Sequence, residues 1–324
     1  MKKVFITGIS GLLGTNLALR LLEENYQVVG LVRKLSSYKA ETHRNLRLIE
    51  AGLFSDLTPY LTDIDYVVHI AAETNQSYHD YIRYRKINAD ATVQLFQAAV
   101  KCGVKRFIFI STANTIGFGT AEKPGAEDLP VSYINMKSFY AQSKAEAENY
   151  LMQQKTATEV IILNPGFMLG AHDSKPSSGR VIKMALNRKI VFCTSGGKNF
   201  VNVKDVVQAI ISSFEKGKPG NRYYIGSQNI EFTEFYKKMF RITGQSSMLI
   251  KLPKTVLLFA GSIGDLFRKL RMNTTVNSAN MLMITMQQHY SNEKSVKELS
   301  MHYSPIEDGI KEAVEYFSKK NLNQ

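Results

Sequence analysis

Short apolar runs alternate with segments of helical period from the first residues onward. KVFIT is followed by a helical pattern from about Leu12 to Glu24, then by QVVGLV and RLIEAG. DYVVHIAA comes next, then a helix from about Asn88 to Lys101, RFIFIST, a helix from about Ser138 to Gln153, and EVIILNPG. Unbroken β-branched runs of this length suit strands covered on both faces. Strand and helix in regular alternation predict an α/β fold: a doubly wound parallel sheet with helices on both sides.

Beyond about Gly166 the rhythm loosens. KNFVNVKDVVQAIISSFEKG and NRYYIG have the pattern to return to the sheet. Phe232 to Thr243 and Lys254 to Arg271 read as helices of a smaller lobe, and Ser304 to Phe317 has helical period around a Pro305 start. The expected division is a first domain over residues 1–166, rejoined by segments around 198–226, and a smaller, mostly helical lobe over 167–324. In the stretch Lys251 to Arg271, the apolar residues Val256, Leu257, Leu258, Phe259, Ile263, Leu266 and Phe267 are expected to face inward. They would serve either as packing for that lobe or, with Phe167 and Met168, as a wall of its pocket.

Thr7-Gly8-Ile9-Ser10-Gly11-Leu12-Leu13-Gly14 lies directly after the first strand and opens the first helix. Gly8 permits a tight turn, Gly11 lets the backbone approach a pyrophosphate, and Gly14 allows close helix packing. The helix N-terminus offers free N–H groups and a positive dipole end to phosphates, so the loop predicts a dinucleotide site and the sheet is of the Rossmann type. Ser10, Leu12 and Leu13 belong to the same cradle. After the second strand, where an NAD enzyme carries an acidic residue for the adenosine ribose, stand Arg33 and Lys34. Arg33 suits the 2′-phosphate of NADP, with NAD the alternative.

Composition narrows the function classes. The 324 residues carry 41 Lys and Arg against 28 Asp and Glu, a formal net charge of +13. The cations are spread along the chain without a dense basic tract, so nucleic acid is not expected as a partner, and part of the charge serves an anionic cofactor. Cys102 and Cys193 are the two cysteines; they form neither a disulfide framework nor a metal-ligand cluster, and no metal is expected. The apolar start VFITGISGLLG lacks a convincing cleavage site, and the run around Val256 to Ile263 is too short to span a bilayer. A cytoplasmic protein without stable membrane insertion is expected.

The pattern TGxxGxxG, His69-Ile70-Ala71-Ala72 after the fourth strand and a Tyr-x-x-x-Lys resemble the extended short-chain dehydrogenases/reductases. Within them the chain resembles the NAD-dependent epimerase/dehydratase family and its dihydroflavonol 4-reductase-like members, also through NFVNVKDVVQAI, GNRYYIG and HYSNEKSVKEL. Tyr-x-x-x-Lys occurs four times, at Tyr133/Lys137, Tyr140/Lys144, Tyr290/Lys294 and Tyr316/Lys320. Tyr140-Ala-Gln-Ser-Lys144 is the preferred candidate, because it opens an Ala/Glu-rich helix soon after RFIFIST and has Glu148 further along; Tyr133 is the runner-up. The spacing puts Tyr140 and Lys144 one turn apart, where an ammonium would lower a phenol otherwise near pKa 10.

The resemblance implies further roles. Lys144 would hold the nicotinamide ribose, and Thr112, with Ser111 as the alternative, would bond the substrate oxygen. Asn88 would stand at the head of the central helix, with an N-cap as its plain reading. Ala71 and Ala72, and Pro165, Gly166, Phe167 and Met168 in Asn164-Pro165-Gly166-Phe167-Met168, would line the cofactor, while Glu73, Asn114 and Phe167 would face substrate. Leu53 stands where the family's adenine-contacting Asp is usual. A homodimer through the helices at Asn88–Lys101 and Ser138–Gln153 is implied.

The reaction expected is hydride transfer between NADP(H) and a carbonyl or secondary alcohol of a small-molecule substrate. Dehydratases of this superfamily follow the Thr with an Asp-Glu pair, whereas Ala113-Asn114 follow here. An epimerase is the alternative; relatives place an Arg where Lys198 stands, which lacks the bidentate fork. A non-catalytic dinucleotide sensor is the second alternative.

Overall fold

The computed structural model describes residues 1–176 and 178–322, with side chains to residue 319. Its first six strands are β1 (Lys3–Thr7), β2 (Gln27–Val32), β3 (Leu46–Glu50), β4 (Tyr66–His69), β5 (Arg106–Ile110) and β6 (Glu159–Pro165). Six more follow: β7 (Phe167–Leu169), β8 (Ile190–Cys193), β9 (Gly197–Asn202), β10 (Asn221–Ile225), β11 (Gln228–Glu231) and β12 (Met248–Lys251). The main sheet has the order β3-β2-β1-β4-β5-β6-β10, with every neighbouring pair parallel. The order reverses between β1 and β4, and in such sheets the crevice at that switch point is where ligands bind.

Period-two alternation sorts the strand residues into two apolar layers. Val4, Ile6, Val68, Ile108, Ile110, Ile161 and Leu163 face the helices Leu12–Glu23 and Val203–Ser213. Phe5, Val67, Phe107, Phe109, Val160 and Ile162 face the helices Ala91–Lys101 and Phe139–Met152. A third cluster, built on Phe200, Phe232, Phe235, Ile306 and Ile310, is the core of the smaller lobe. No described helix is long and apolar enough to cross a membrane.

Three expectations change. Of the segments foreseen to rejoin the sheet, NRYYI does so as β10, whereas β9 pairs with β7 and β11 in a separate three-stranded sheet. The central helix starts earlier than Asn88: a turn at Tyr81–Arg85 runs through a wide π-helical turn, Lys86–Asp90, into Ala91–Lys101. In the helix Lys254–Lys269 the buried residues are Leu257, Gly261 and Gly264, while Val256, Phe259, Ile263, Leu266 and Phe267 are exposed. The reason is local: a Cβ on Gly264 would lie 1.6 Å from Val276 O, and one on Gly261 would lie 2.9 Å from Ser278 Cα. The glycine face therefore packs, and the large side chains point away.

Candidate active site

The glycine loop is shaped by contacts that exclude a side chain. Gly8 has φ +73°, and a Cβ there would meet Ala71 N at 2.8 Å, so the loop after β1 lies against the loop after β4. A Cβ on Gly14 would stand 2.2 Å from Gly8 O. Gly11 is different: a Cβ there meets nothing closer than Gly8 O at 3.5 Å, so the space beside it is open. Gly11 caps the helix Leu12–Glu23 without a side-chain hydrogen bond, so the first N–H groups have no side-chain acceptor. An open cradle at an uncapped N-terminus fits a pyrophosphate. Ser10 is half-buried, and Leu12 and Leu13 are buried in the core beneath the loop.

A buried bridge joins this loop to the central helix. Thr92 Oγ1 donates to Asn88 O at 2.7 Å, so it accepts from His69 Nε2 at 2.9 Å. His69 Nδ1 is then the acceptor for Thr7 Oγ1 at 2.7 Å, and Thr7 in turn accepts from the N–H groups of Ile70 and Ala71, each at 3.2 Å. Burial, reinforced by the charge of Lys144, holds the imidazole neutral with its pKa down at about 3.

Tyr140 and Lys144 lie on the first two turns of the helix Phe139–Met152, beside the end of β5. Burial pushes the Tyr140 phenol up to about 12, against a lowering by the neighbouring Thr112 side chain and with Glu148 adding to the rise. Lys144 is 1% exposed. Its Nζ donates to Ile110 O at 2.6 Å and sits 3.9 Å above the Phe109 ring. Burial brings it down to about 7 against the attraction of Glu148. The buried amine is destabilised as a cation and engaged by a carbonyl, while the phenol one turn away is raised by burial.

The other three matches are placed elsewhere. Tyr133 is 77% exposed, with Lys137 over its own ring. Tyr290 is buried on Tyr224, donates to Ala113 O at 3.2 Å, and its Lys294 bonds Asn221 and Arg222. Tyr316 is on the last helix. Ser111 Oγ is buried without a described partner, and Thr112 is the neighbour that lowers the Tyr140 phenol.

Behind the pair is a polar hub centred on Glu148. Glu148 is 3% exposed; its Oε1 accepts from Thr115 Oγ1 at 2.6 Å and Asn164 Nδ2 at 2.7 Å, and its Oε2 pairs with Arg222 at 3.3 Å. Asn164 Nδ2 also lies 3.1 Å from Thr112 O. The turn carrying Thr112 is thus fixed to the helix Phe139–Met152 and to β6 and β10. Asn88 is no N-cap: inside the wide turn, its amide accepts from Glu73 N at 2.7 Å and donates to Glu73 O at 3.1 Å and Ser143 Oγ at 2.9 Å. It clamps the loop after β4 to the Tyr140 helix.

The remaining candidates lie in several elements. Glu73 pairs with Arg83 at 3.6 Å, and Asn114 gives its N–H to Thr112 Oγ1 at 3.3 Å. Pro165 closes β6, Gly166 N–H bonds Ile225 O at 2.8 Å, Phe167 packs on Phe200, and Met168 packs on the main core. Ala71 and Ala72 are half-buried at the end of β4. Arg33 is exposed after β2, and Leu53 packs partly against the second layer. Lys198, brought down to about 8 by burial, bonds Gln288, which reaches Asn135 at 3.5 Å. The smaller lobe closes on the site through Arg268, Asn277 and Asn280, which share a small cleft with Tyr84, Lys137 and Tyr140. Arg268 was not foreseen; it donates to Gln76 O and Tyr78 O at 3.3 and 2.8 Å.

Residues 4–226 match the NAD dependent epimerase/dehydratase family. The chain is 27% identical over 323 residues to a Synechocystis sp. protein provisionally named dihydroflavonol 4-reductase, covering 97% of this chain and 94% of that one. It is 26% identical over 259 residues to the sterol-4-alpha-carboxylate 3-dehydrogenase (decarboxylating) of Dictyostelium discoideum, covering 76% and 78%. Other relatives are named as dTDP-D-glucose 4,6-dehydratases and UDP-glucose 4-epimerases. The crystal structure of gox2253 superimposes with a TM-score of 0.83 at 26% identity, covering 99% of each chain, and more distant solved structures contain NAD.

Proposed function

The chain belongs to the NAD-dependent epimerase/dehydratase family of extended short-chain dehydrogenases/reductases, and from that premise we propose that it is an NADP(H)-dependent reductase of a mainly apolar carbonyl compound, or dehydrogenase of the matching secondary alcohol. The observation carrying this reading is a protonated Tyr140 phenol beside Thr112, which is followed by Ala113 and Asn114 rather than by a second acid and base. One proton-transfer group suits simple carbonyl reduction; elimination of water from a sugar needs another.

The nicotinamide, when bound, supplies or accepts the hydride. Gly8, Ser10, Gly11 and the helix N-terminus would hold its pyrophosphate, and Lys144 its ribose. With a pKa near 12 the Tyr140 phenol is protonated at neutral pH, the form that donates to the oxygen of a carbonyl being reduced. Thr112 directs its hydroxyl to the same oxygen. In the reverse direction the phenol must lose its proton, and a charged Lys144 one turn away is the group that eases this loss. Arg33, exposed and without a described ion-pair partner, supports the preference for NADP. Names of relatives that include a flavonoid and a sterol substrate support an apolar ligand.

The test is NADPH consumption over a panel of aromatic and alicyclic ketones, repeated with Tyr140→Phe. Turnover that falls at least about a hundredfold in the variant, with cofactor affinity retained, supports the reading. Interconversion of UDP-sugars without net cofactor oxidation, together with inertness toward the ketones, would replace it with the epimerase reading.

A further inference from the structure

An exposed apolar stripe runs along the helix Lys254–Lys269. Val256, Phe259, Ile263, Leu266 and Leu270 follow one another at intervals of three or four residues and are 53%, 70%, 44%, 58% and 66% exposed. The opposite, glycine-bearing face is the one that packs, against the segment 276–278. A surface helix of an ordinary globular lobe has the reverse arrangement. The strand leading into this helix continues the pattern: Met248 in β12 pairs with Ile190 in β8, and these are 63% and 50% exposed.

The charge around the stripe identifies what covers it. Lys251 and Lys254 stand at the start of the helix, Lys269 and Arg271 at its end, and Arg188 and Lys189 precede Ile190; all are exposed. None forms an ion pair among the described residues. The one acid in the stretch, Asp265, is engaged by Ser278 N–H at 3.2 Å. An apolar face bounded at both ends by free cations is complementary to a bilayer interface with anionic headgroups.

We propose that this helix is a monotopic docking surface for an anionic phospholipid membrane, lying in the interface plane without crossing the bilayer. Arg268, on the same helix, grips the carbonyls of Gln76 and Tyr78 beside Tyr140. Arg268 is on the protein-facing side of the helix, so docking places the helix between the bilayer and the proposed site. The inference does not depend on the substrate or on catalysis.

The test is flotation of the full chain with phosphatidylcholine vesicles with and without phosphatidylglycerol. Binding is expected only with phosphatidylglycerol, and is lost at about 1 M salt, where the Debye length is about 3 Å. Lys254→Gln with Lys269→Gln should weaken binding roughly 25-fold, about fivefold per charge. Phe259→Ser with Leu266→Ser should weaken it at least about tenfold, and since both side chains are exposed, NADPH affinity and thermal midpoint serve as fold controls. No binding to phosphatidylglycerol vesicles at low salt, or equal binding by both double variants, overturns the proposal. So does light scattering that shows a dimer broken to a monomer by Phe259→Ser with Leu266→Ser, which would assign the stripe to a second copy of the chain.

Discussion

Replacing Lys144 by methionine is expected to end activity and yet make the protein more stable at neutral pH. The amine is 1% exposed and its pKa lies at about 7 against an ordinary 10.5, with burial as the leading cause. That displacement corresponds to about 5 kcal/mol of destabilisation at pH 7, because the unfolded chain keeps a solvated ammonium that the folded protein must desolvate or deprotonate. Methionine has a similar length and no charge. Its cost is the bond to Ile110 O at 2.6 Å, whose loss leaves a buried carbonyl short of a donor, about 1–3 kcal/mol. The variant should therefore gain about 2–4 kcal/mol at pH 7. The folded pKa lies below the unfolded one, so between about pH 7 and 10.5 the unfolded chain binds more protons and wild-type stability climbs with pH. At pH 9.5 most of that penalty is gone, the remainder is comparable with the lost hydrogen bond, and the two proteins should nearly coincide. Urea unfolding at both pH values measures the difference. A variant less stable than wild type at pH 7, or a gap independent of pH, would refute the account of Lys144 as a cation held against its burial.

Other perturbations separate packing from binding. Gly14→Ala sets a Cβ 2.2 Å from Gly8 O and should cost about 2–3 kcal/mol in thermal or urea unfolding as well as dinucleotide affinity. Gly11→Ala, with 3.5 Å to its nearest neighbour, should leave stability near wild type and weaken NADPH in a fluorescence titration. Arg33→Asp, at an exposed position, should leave stability within about 0.5 kcal/mol, weaken NADPH by about 1.5–3 kcal/mol and favour NADH; tighter NADH than NADPH binding by the unmutated protein rejects the NADP reading. Asn88→Ala removes bonds to both Glu73 backbone groups and to Ser143, and should cost about 3 kcal/mol of stability in urea unfolding.

The sequence by itself determined the main sheet and its cofactor loop. β1, β2 and β4 to β6 are short β-branched or aromatic runs buried on both faces, and such runs are legible because burial from two sides removes any need for polar alternation. Gly8 and Gly14 were legible because the backbone itself cannot take a side chain there. Tertiary structure alone decided the rest. It placed Tyr140 in a buried setting beside Thr112 and Tyr133 in solvent, a distinction that four identical spacings could not carry. It joined Glu148 to Asn164 and Arg222, partners 16 and 74 residues away that leave no local periodicity. It placed β9 in a second sheet, because strand pairing is set by which edge is open and not by the residues of the strand. It also turned the helix Lys254–Lys269 outward. A helical wheel locates an apolar stripe, but the choice of packing face fell to Gly261 and Gly264, through close backbone contacts with residues 276–278 that exist only once the chain has folded back on itself.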